Sequence, residues 1–317
     1  MTGGPPAGHH PFRFGVYAGA PSGIDDLRAL AVGCEQAGYA SLLVPDHLDE
    51  RWSPLVSLAL AAGWTSRIAL GTLMLAADLR LPAVLFKDLA TLDQAAPGRL
   101  EIGLGAGWYP PDFARAGIPM APPGIRIQRL AETAHILREL WDKGTVSYEG
   151  RHCSAGDAIG APRPGPATWV MGGGGPRMLR TAAERADIVS LTARLSSGRR
   201  DTPLGDNARA ERFDERVRWV RRFAAEAGRP LTPRLQCLLI DAAVVTDSAR
   251  YARRELAPRF GLPPGEVLDS PVVLAGTVDE ICARLRERRE RFGISYWVLP
   301  AARWKQFVPV VERLTGT

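Results

Sequence analysis

The sequence predicts an α/β protein built as a (β/α)8 barrel of the TIM type, and three observations carry that prediction. Short apolar runs of strand-like composition alternate with amphipathic helical runs, the order that a parallel sheet with crossover helices demands. Eight such apolar runs lie between residues 12 and 300. At 317 residues the chain is long for an ordinary domain but usual for a single barrel.

The elements follow in order. The strand candidates are 12–18 (FRFGVYA), 41–45 (SLLVP), 67–75 (RIALGTLML), 100–107 (LEIGLGAG), 168–172 (TWVMG), 187–192 (DIVSLT), 235–245 (LQCLLIDAAVV) and 295–300 (SYWVLP). Ser22 or Asp25 caps a helix that runs to Ala37. Pro54 and Pro82 open two more, because a first-turn proline lacks only an N–H that would be unpaired there. Further helices are expected over 127–140, 176–185, 213–227, 248–259 and 278–291. Two segments break the alternation: TVSYEGRHC (145–153) reads as a hairpin around Glu149-Gly150, and LSSGRRDTPLGDNARAE (195–211) as a mobile excursion. Both are expected as insertions at the C-terminal face of the barrel. There is no internal repeat and no Pro/Gly linker with a core on each side. Residues 1–317 therefore read as one domain with a loose tail at 1–11.

Composition narrows the function classes. The hydrophobic fraction is 46%, and no apolar run reaches the length of a membrane span. The first residues carry no basic segment followed by a long apolar core, so the cytosol is the expected compartment. Cys34, Cys153, Cys237 and Cys282 are far apart and show neither CxxC nor metal-ligand spacing, which argues against a disulfide framework or a metal site. The net charge of +6 would suit a nucleic-acid partner, but nearly all of it is Arg interleaved with Glu and Asp, as in RLRERRERFG (284–293). Alternating signs mark a solvated helix face, so no nucleic-acid partner is expected.

The strand ends carry the candidate chemistry, since that is where a barrel keeps its site. At the end of the second strand VPDHLDE places Asp46 and His47. A histidine there can donate to a developing negative charge or shuttle a proton, with a neighbouring carboxylate fixing its tautomer; equally, it can cap the rim by bonding backbone. In LEIGLGAGWYPPDF, Gly103, Gly105 and Gly107 share one strand face and leave it bare for something flat, or for tight packing. A dinucleotide fingerprint would need glycine at Trp108 and a helix directly after, where Pro110-Pro111 stand, so this is not a Rossmann loop. After the fifth strand come Gly172, Gly173, Gly174 and Gly175, then Pro176 opening a helix. Bare N–H groups at a helix start make an anion cradle, to which Arg177 adds charge. A plain turn would need fewer glycines, so a phosphate site is the favoured reading.

These stretches, with LGTLMLAADLRLPAVLFKDLATLDQAAPGRLEIGLGAGW, AGIPMAPPGIRIQRLAETAHILRELW and SPVVLAGTVDEICARLRERRERFGISYWVLP, resemble the luciferase-like superfamily, and within it the oxidoreductases that use coenzyme F420. The resemblance runs from Phe12 to the C-terminal strand and is least clear over 195–234. It implies that Asp46 and His47 border a deazaflavin ring. It also implies a non-prolyl cis peptide at Leu73 and Met74 behind the ring. Gly105, Ala106 and Gly107 would line the ring's edge, and Gly173 to Gly175 would hold the phosphate. Relatives that oxidise a sugar phosphate carry a proton-donating glutamate where this chain has Trp108. That disfavours a sugar-phosphate substrate and favours a cyclic or unsaturated organic one. The expected activity is hydride transfer between C5 of F420 and a small organic substrate, with His47 first and Asp112 second as proton-handling candidates. The alternatives are an FMN-dependent monooxygenase on the same barrel and a non-catalytic flavin-binding barrel. The resemblance also implies a homodimer.

Overall fold

A computed structural model describes residues 10–193 and 203–317. Most of the predicted tail and the first part of the predicted 195–211 excursion lie outside the described residues. In chain order the elements are β1 (Arg13–Tyr17), α1 (Ile24–Gln36), β2 (Ser41–Val44), α2 (Pro54–Trp64), β3 (Ala69–Thr72), β4 (Leu75–Ala76), α3 (Pro82–Ala95) and β5 (Leu100–Gly105). Next come α4 (Pro110–Ala116), α5 (Pro123–Asp142), the hairpin strands β6 (Thr145–Glu149) and β7 (Ser154–Ile159), β8 (Thr168–Gly173), α6 (Pro176–Arg185) and β9 (Ile188–Leu191). The remainder is α7 (Ala210–Glu226), β10 (Arg234–Leu238), β11 (Asp241–Val244), α8 (Ser248–Tyr251), α9 (Ala257–Phe260), α10 (Pro264–Asp269), β12 (Val273–Gly276), α11 (Val278–Phe292), β13 (Ile294–Pro300) and α12 (Trp304–Leu314).

Four expectations need correction. The run 67–75 is not one strand: it breaks between β3 and β4, with Leu73 N–H in the gap still donating to Val44 O at the end of neighbouring β2, at 2.9 Å. The run 235–245 also splits. Leu239 N–H still follows β13 by donating to Val298 O, but Ile240 N–H donates to Val272 O, so the chain passes from one sheet to another. Its second half, β11, pairs in parallel with β12, a strand absent from the sequence reading. Helix α4 opens at Pro110, where the paired prolines had been read as a barrier; they occupy the first turn, as Pro54 and Pro82 do. Helix α7 begins at Ala210, inside the predicted excursion, and a 3-10 turn at Gly205–Ala208 precedes it.

The chain divides into two compact units. One unit holds the described residues up to Tyr17, Gly33–Ser41 and Gly172–Thr317. In it β1 pairs in parallel with β13, β13 with β10 and β10 with β9. Phe12, Phe14, Trp297, Phe213, Phe292 and Phe307 are buried in this unit. The other unit comprises Ala18–Val32 and Leu42–Met171. Its centre is β5, which pairs in parallel with β3 and β4 on one side and with β8 on the other. All six β5 residues are buried, as expected for a parallel strand covered on both faces. The hairpin β6–β7 is antiparallel, as predicted, with Gly150 N–H donating to Cys153 O in its turn.

Candidate active site

In the second unit, β2 delivers its last residues to a rim where α4 also begins. Asp46 and His47 follow the strand directly, and they part company. The Asp46 carboxylate is buried and fully engaged: Ala76 N–H donates to it at 2.9 Å and the Arg80 guanidinium grips both oxygens at 2.5 and 3.0 Å. It pins β2 to the turn after β4. The carboxylate that reaches His47 is instead Asp112, whose Oδ2 lies 2.6 Å from His47 Nδ1. Asp112 is placed by the first turn of α4 and anchored by Leu48 N–H, which donates to its other oxygen at 3.0 Å. An ionised carboxylate only accepts, so His47 Nδ1 carries the hydrogen and Nε2 is left as the nitrogen able to take up or release a proton. Trp108 and Tyr109 stand edge-on to the imidazole, with ring centres 5.9 and 5.8 Å away. These three rings form an aromatic wall, Trp108 and Tyr109 being 5.2 Å apart.

In the same unit the peptide between Leu73 and Met74 is cis, at the position the resemblance implied. The three glycines of β5 have different reasons. A side chain at Gly103 would overlap Thr72 O, and Thr72 Oγ1 is bonded to both Gly103 O and Gly103 N, so packing alone requires that glycine. Gly107 has φ of +68° and the Phe113 ring 2.8 Å from where a Cβ would stand, so it too is required by the chain. Gly105 differs, because an added Cβ would make only ordinary contacts, with Met74 Cβ at 3.4 Å, Leu75 O at 3.8 Å and Met74 Cε at 3.9 Å. Packing alone does not require glycine there. Beyond it, the buried Arg126 of α5 holds the loop: Nη1 donates to Ala106 O at 3.0 Å and to Gly107 O, and Nε donates to Ala121 O at 2.9 Å. Burial lowers the Arg126 pKa, an effect opposed by the nearby Asp78 carboxylate.

In the first unit, the glycine run joins β8 to α6. Gly172 must be glycine because a Cβ would overlap the Ser190 carbonyl, and at Gly173 it would come within 2.9 Å of Met178. Two of the four are thus strand and helix packing. Gly175, the residue before Pro176, has nothing within 4 Å of an added Cβ. The N–H groups of a helix's first turn have no intrahelical acceptor, and α6 presents its own behind this open position. The Gly174 carbonyl accepts from Arg216 Nε at 3.3 Å.

Residues 8–260 match the luciferase-like monooxygenase family. The chain belongs to that family. A curated member from Nakamurella multipartita, an F420-dependent glucose-6-phosphate dehydrogenase, is 31% identical over 206 residues, covering 61% of this chain and 60% of that protein. A pyrimidine monooxygenase from Allorhizobium ampelinum is 30% identical over 178 residues, 55% of this chain and 45% of that one. The chain thus spans about half to three fifths of the length of these curated relatives. Among solved structures, the F420-dependent tetrahydromethanopterin reductase of Methanopyrus kandleri superposes with a TM-score of 0.78 at 20% identity, covering 96% of this chain and 99% of that one. The fold is the (β/α)8 barrel of the luciferase-like family.

Within this luciferase-like chain, one unit gathers Asp46, His47, Leu73, Met74, Gly105, Ala106, Gly107, Trp108 and Asp112, and the other carries Gly172, Gly173, Gly174, Gly175 and Arg177. Sequence reading missed Tyr109, Arg80, Arg126 and Arg216. The thiols add no nucleophile, since burial pushes Cys34 and Cys237 up to about 12 and raises Cys153 and Cys282 as well. Among the described residues no cluster of His, Cys, Asp and Glu could hold a metal ion, and no helix is long and apolar enough to cross a membrane.

Proposed function

We propose that this luciferase-like barrel is an F420-dependent oxidoreductase in which His47, oriented by Asp112, handles the proton that accompanies hydride transfer. The observation that carries the reading is the 2.6 Å contact between His47 Nδ1 and Asp112 Oδ2 at the start of α4. The residues suit the cofactor on two counts. Gly105 lies against Met74, where an added Cβ would make only ordinary contacts, so packing alone does not demand that glycine, and Gly175 offers an open position before the orphan N–H groups of α6. When bound, F420 supplies a two-electron carrier that exchanges a hydride at C5.

The protein's own part follows from the geometry. Asp112 holds the imidazole in the tautomer with hydrogen on Nδ1, and its charge stabilises the imidazolium when Nε2 is protonated. Trp108 and Tyr109, edge-on to the imidazole, make its surroundings apolar. With Trp108 at the position where sugar-phosphate oxidisers carry glutamate, the wall suits a cyclic or unsaturated organic substrate rather than a sugar phosphate. The test is spectroscopic. Reduced F420 should be consumed, or the oxidised form bleached, only in the presence of substrate, and a screen of cyclic enones, imines and alcohols should find one. Tight cofactor binding with no turnover across such a screen would leave a binding protein instead.

The same reading includes a homodimer. Helix α2 is apolar on every side, yet Val56 is 61% exposed on it, and Leu81 and Val84 at the start of α3 are 73% and 57% exposed. Helices hydrophobic all round are covered ones. A second copy presenting the same face would cover both patches by two-fold symmetry. Sedimentation should give a dimer, and Val56→Asp with Val84→Asp a monomer; a wild-type monomer at working concentration would end this part of the proposal.

A further inference from the structure

Helix α7 carries an arginine on the wrong face. Arg216 is 3% exposed and lies with Phe213, Val217 and Val220 on the buried side of the helix, where a charge is costly unless every donor finds an acceptor. Its guanidinium stands over the Phe213 ring at 4.7 Å, Nη1 donates to Asn207 O at 3.0 Å, and Nε donates to Gly174 O at 3.3 Å. One side chain therefore ties α7, the 3-10 turn Gly205–Ala208 and the glycine run together.

We infer that Arg216 is the positioning residue of the phosphate-binding turn; the inference rests on the cofactor reading above and names the part of this chain that makes the cradle work. The C=O and N–H of one trans peptide point in opposite directions. Holding Gly174 O toward α7 thus turns the Gly175 N–H to the other side of the turn, next to the open position before α6. The guanidinium also adds a buried, poorly screened positive charge behind a helix N-terminus that already favours anions. Both effects act on a phosphate and neither acts on the ring. Arg177, the charge that the sequence singled out, follows the turn in chain order; Arg216 is 42 residues from Gly174.

The experiment is a pair of affinities. F420 and the deazaflavin riboside that lacks its phosphate are titrated into wild type and Arg216→Met, with deazaflavin fluorescence as readout. The expected result is a fall of at least tenfold in F420 affinity, the scale of one charge-assisted hydrogen bond, with riboside affinity unchanged within twofold. Hydrogen exchange of the cofactor-free variant should speed up at residues 173–178 and nowhere in β1 or β13. Equal loss of both affinities would show a structural residue, and loss of neither would show an idle one; either overturns the inference. If Arg216→Met does not fold, Arg216→Lys keeps the charge but not the fork. It should weaken F420 selectively, by about threefold to tenfold. If neither variant folds, Arg216 is a determinant of the fold and the inference fails. Wild type that binds neither compound sinks the F420 reading instead. Binding of FMN in its place moves the same comparison to FMN against riboflavin, where the Arg216 inference stands or falls separately.

Discussion

The two regions proposed to act, one in each unit, are made of different material. Around His47 the proposed work falls to side chains: an imidazole, the carboxylate bonded to it and two aromatic rings, with Asp46 next in the chain held by Arg80. Around Gly175 the proposed binding groups belong to the main chain, and the buried Arg216, which donates to the Gly174 carbonyl, stands behind the turn. A side-chain site changes the barrier of a reaction, because protons move through it. A main-chain cradle changes only how tightly a ligand is held. Substitutions in the two regions should therefore separate kcat from the cofactor dissociation constant.

The largest effect is expected at His47. His47→Ala should lower kcat by about 10²–10⁴-fold, the span for one positioned acid or base, and leave cofactor affinity within a few-fold. A limb in the wild-type pH profile of kcat should vanish in the variant. If it survives, the proton comes from another group and the contrast between the regions loses its basis. Asp112→Asn comes next. The amide keeps the bond from Leu48 N–H but carries no charge, so kcat should drop by about 10–10³-fold with little change in affinity. Turnover at the wild-type level would show the Asp112 contact to be ornamental.

The opposite behaviour is expected at Gly175. Because an added side chain meets no neighbour there, Gly175→Val should fold normally and weaken the cofactor by at least tenfold, or about 1.4 kcal/mol. Its kcat at saturating cofactor should stay near wild type. An unchanged dissociation constant would mean that this glycine serves only the chain. The smallest catalytic effect belongs to Asp46→Asn, which leaves Arg80 with a neutral partner. It should cost stability, about 1–3 kcal/mol read as a lower Tm, while kcat changes by less than tenfold. A kcat loss rivalling that of His47→Ala would return Asp46 to the reacting centre.

How much of this was legible depended on the distance over which each feature is encoded. The eight apolar runs were visible because burial on both faces leaves a continuous hydrophobic signal, and His47 and Trp108 were found by standing at strand ends. The His47–Asp112 pair was not, since its members are 65 residues apart and the nearer carboxylate, Asp46, belongs to Arg80. Buried arginines were equally hidden. On a helix that also carries Glu and Asp, Arg216 looks like one more solvated charge, and only the fold reveals that it faces inward. Glycine runs misled in a third way. Their number favours a ligand for all four, whereas the fold commits Gly172 and Gly173 to packing and leaves Gly175 open. The sharpest boundary errors came where a strand changes sheets at Leu239 and Ile240, an event set by partners from distant segments.

The central claim is that this luciferase-like barrel takes a deazaflavin and exchanges a hydride with it. It is tested most directly by titrating F420 and FMN separately into the purified wild-type chain and then following cofactor absorbance with candidate substrates. The account predicts saturable F420 binding at least tenfold tighter than FMN, followed by substrate-dependent redox change that His47→Ala slows by about 10²–10⁴-fold without releasing the cofactor. Preferential FMN binding, with oxygen consumption on reduction, would contradict it.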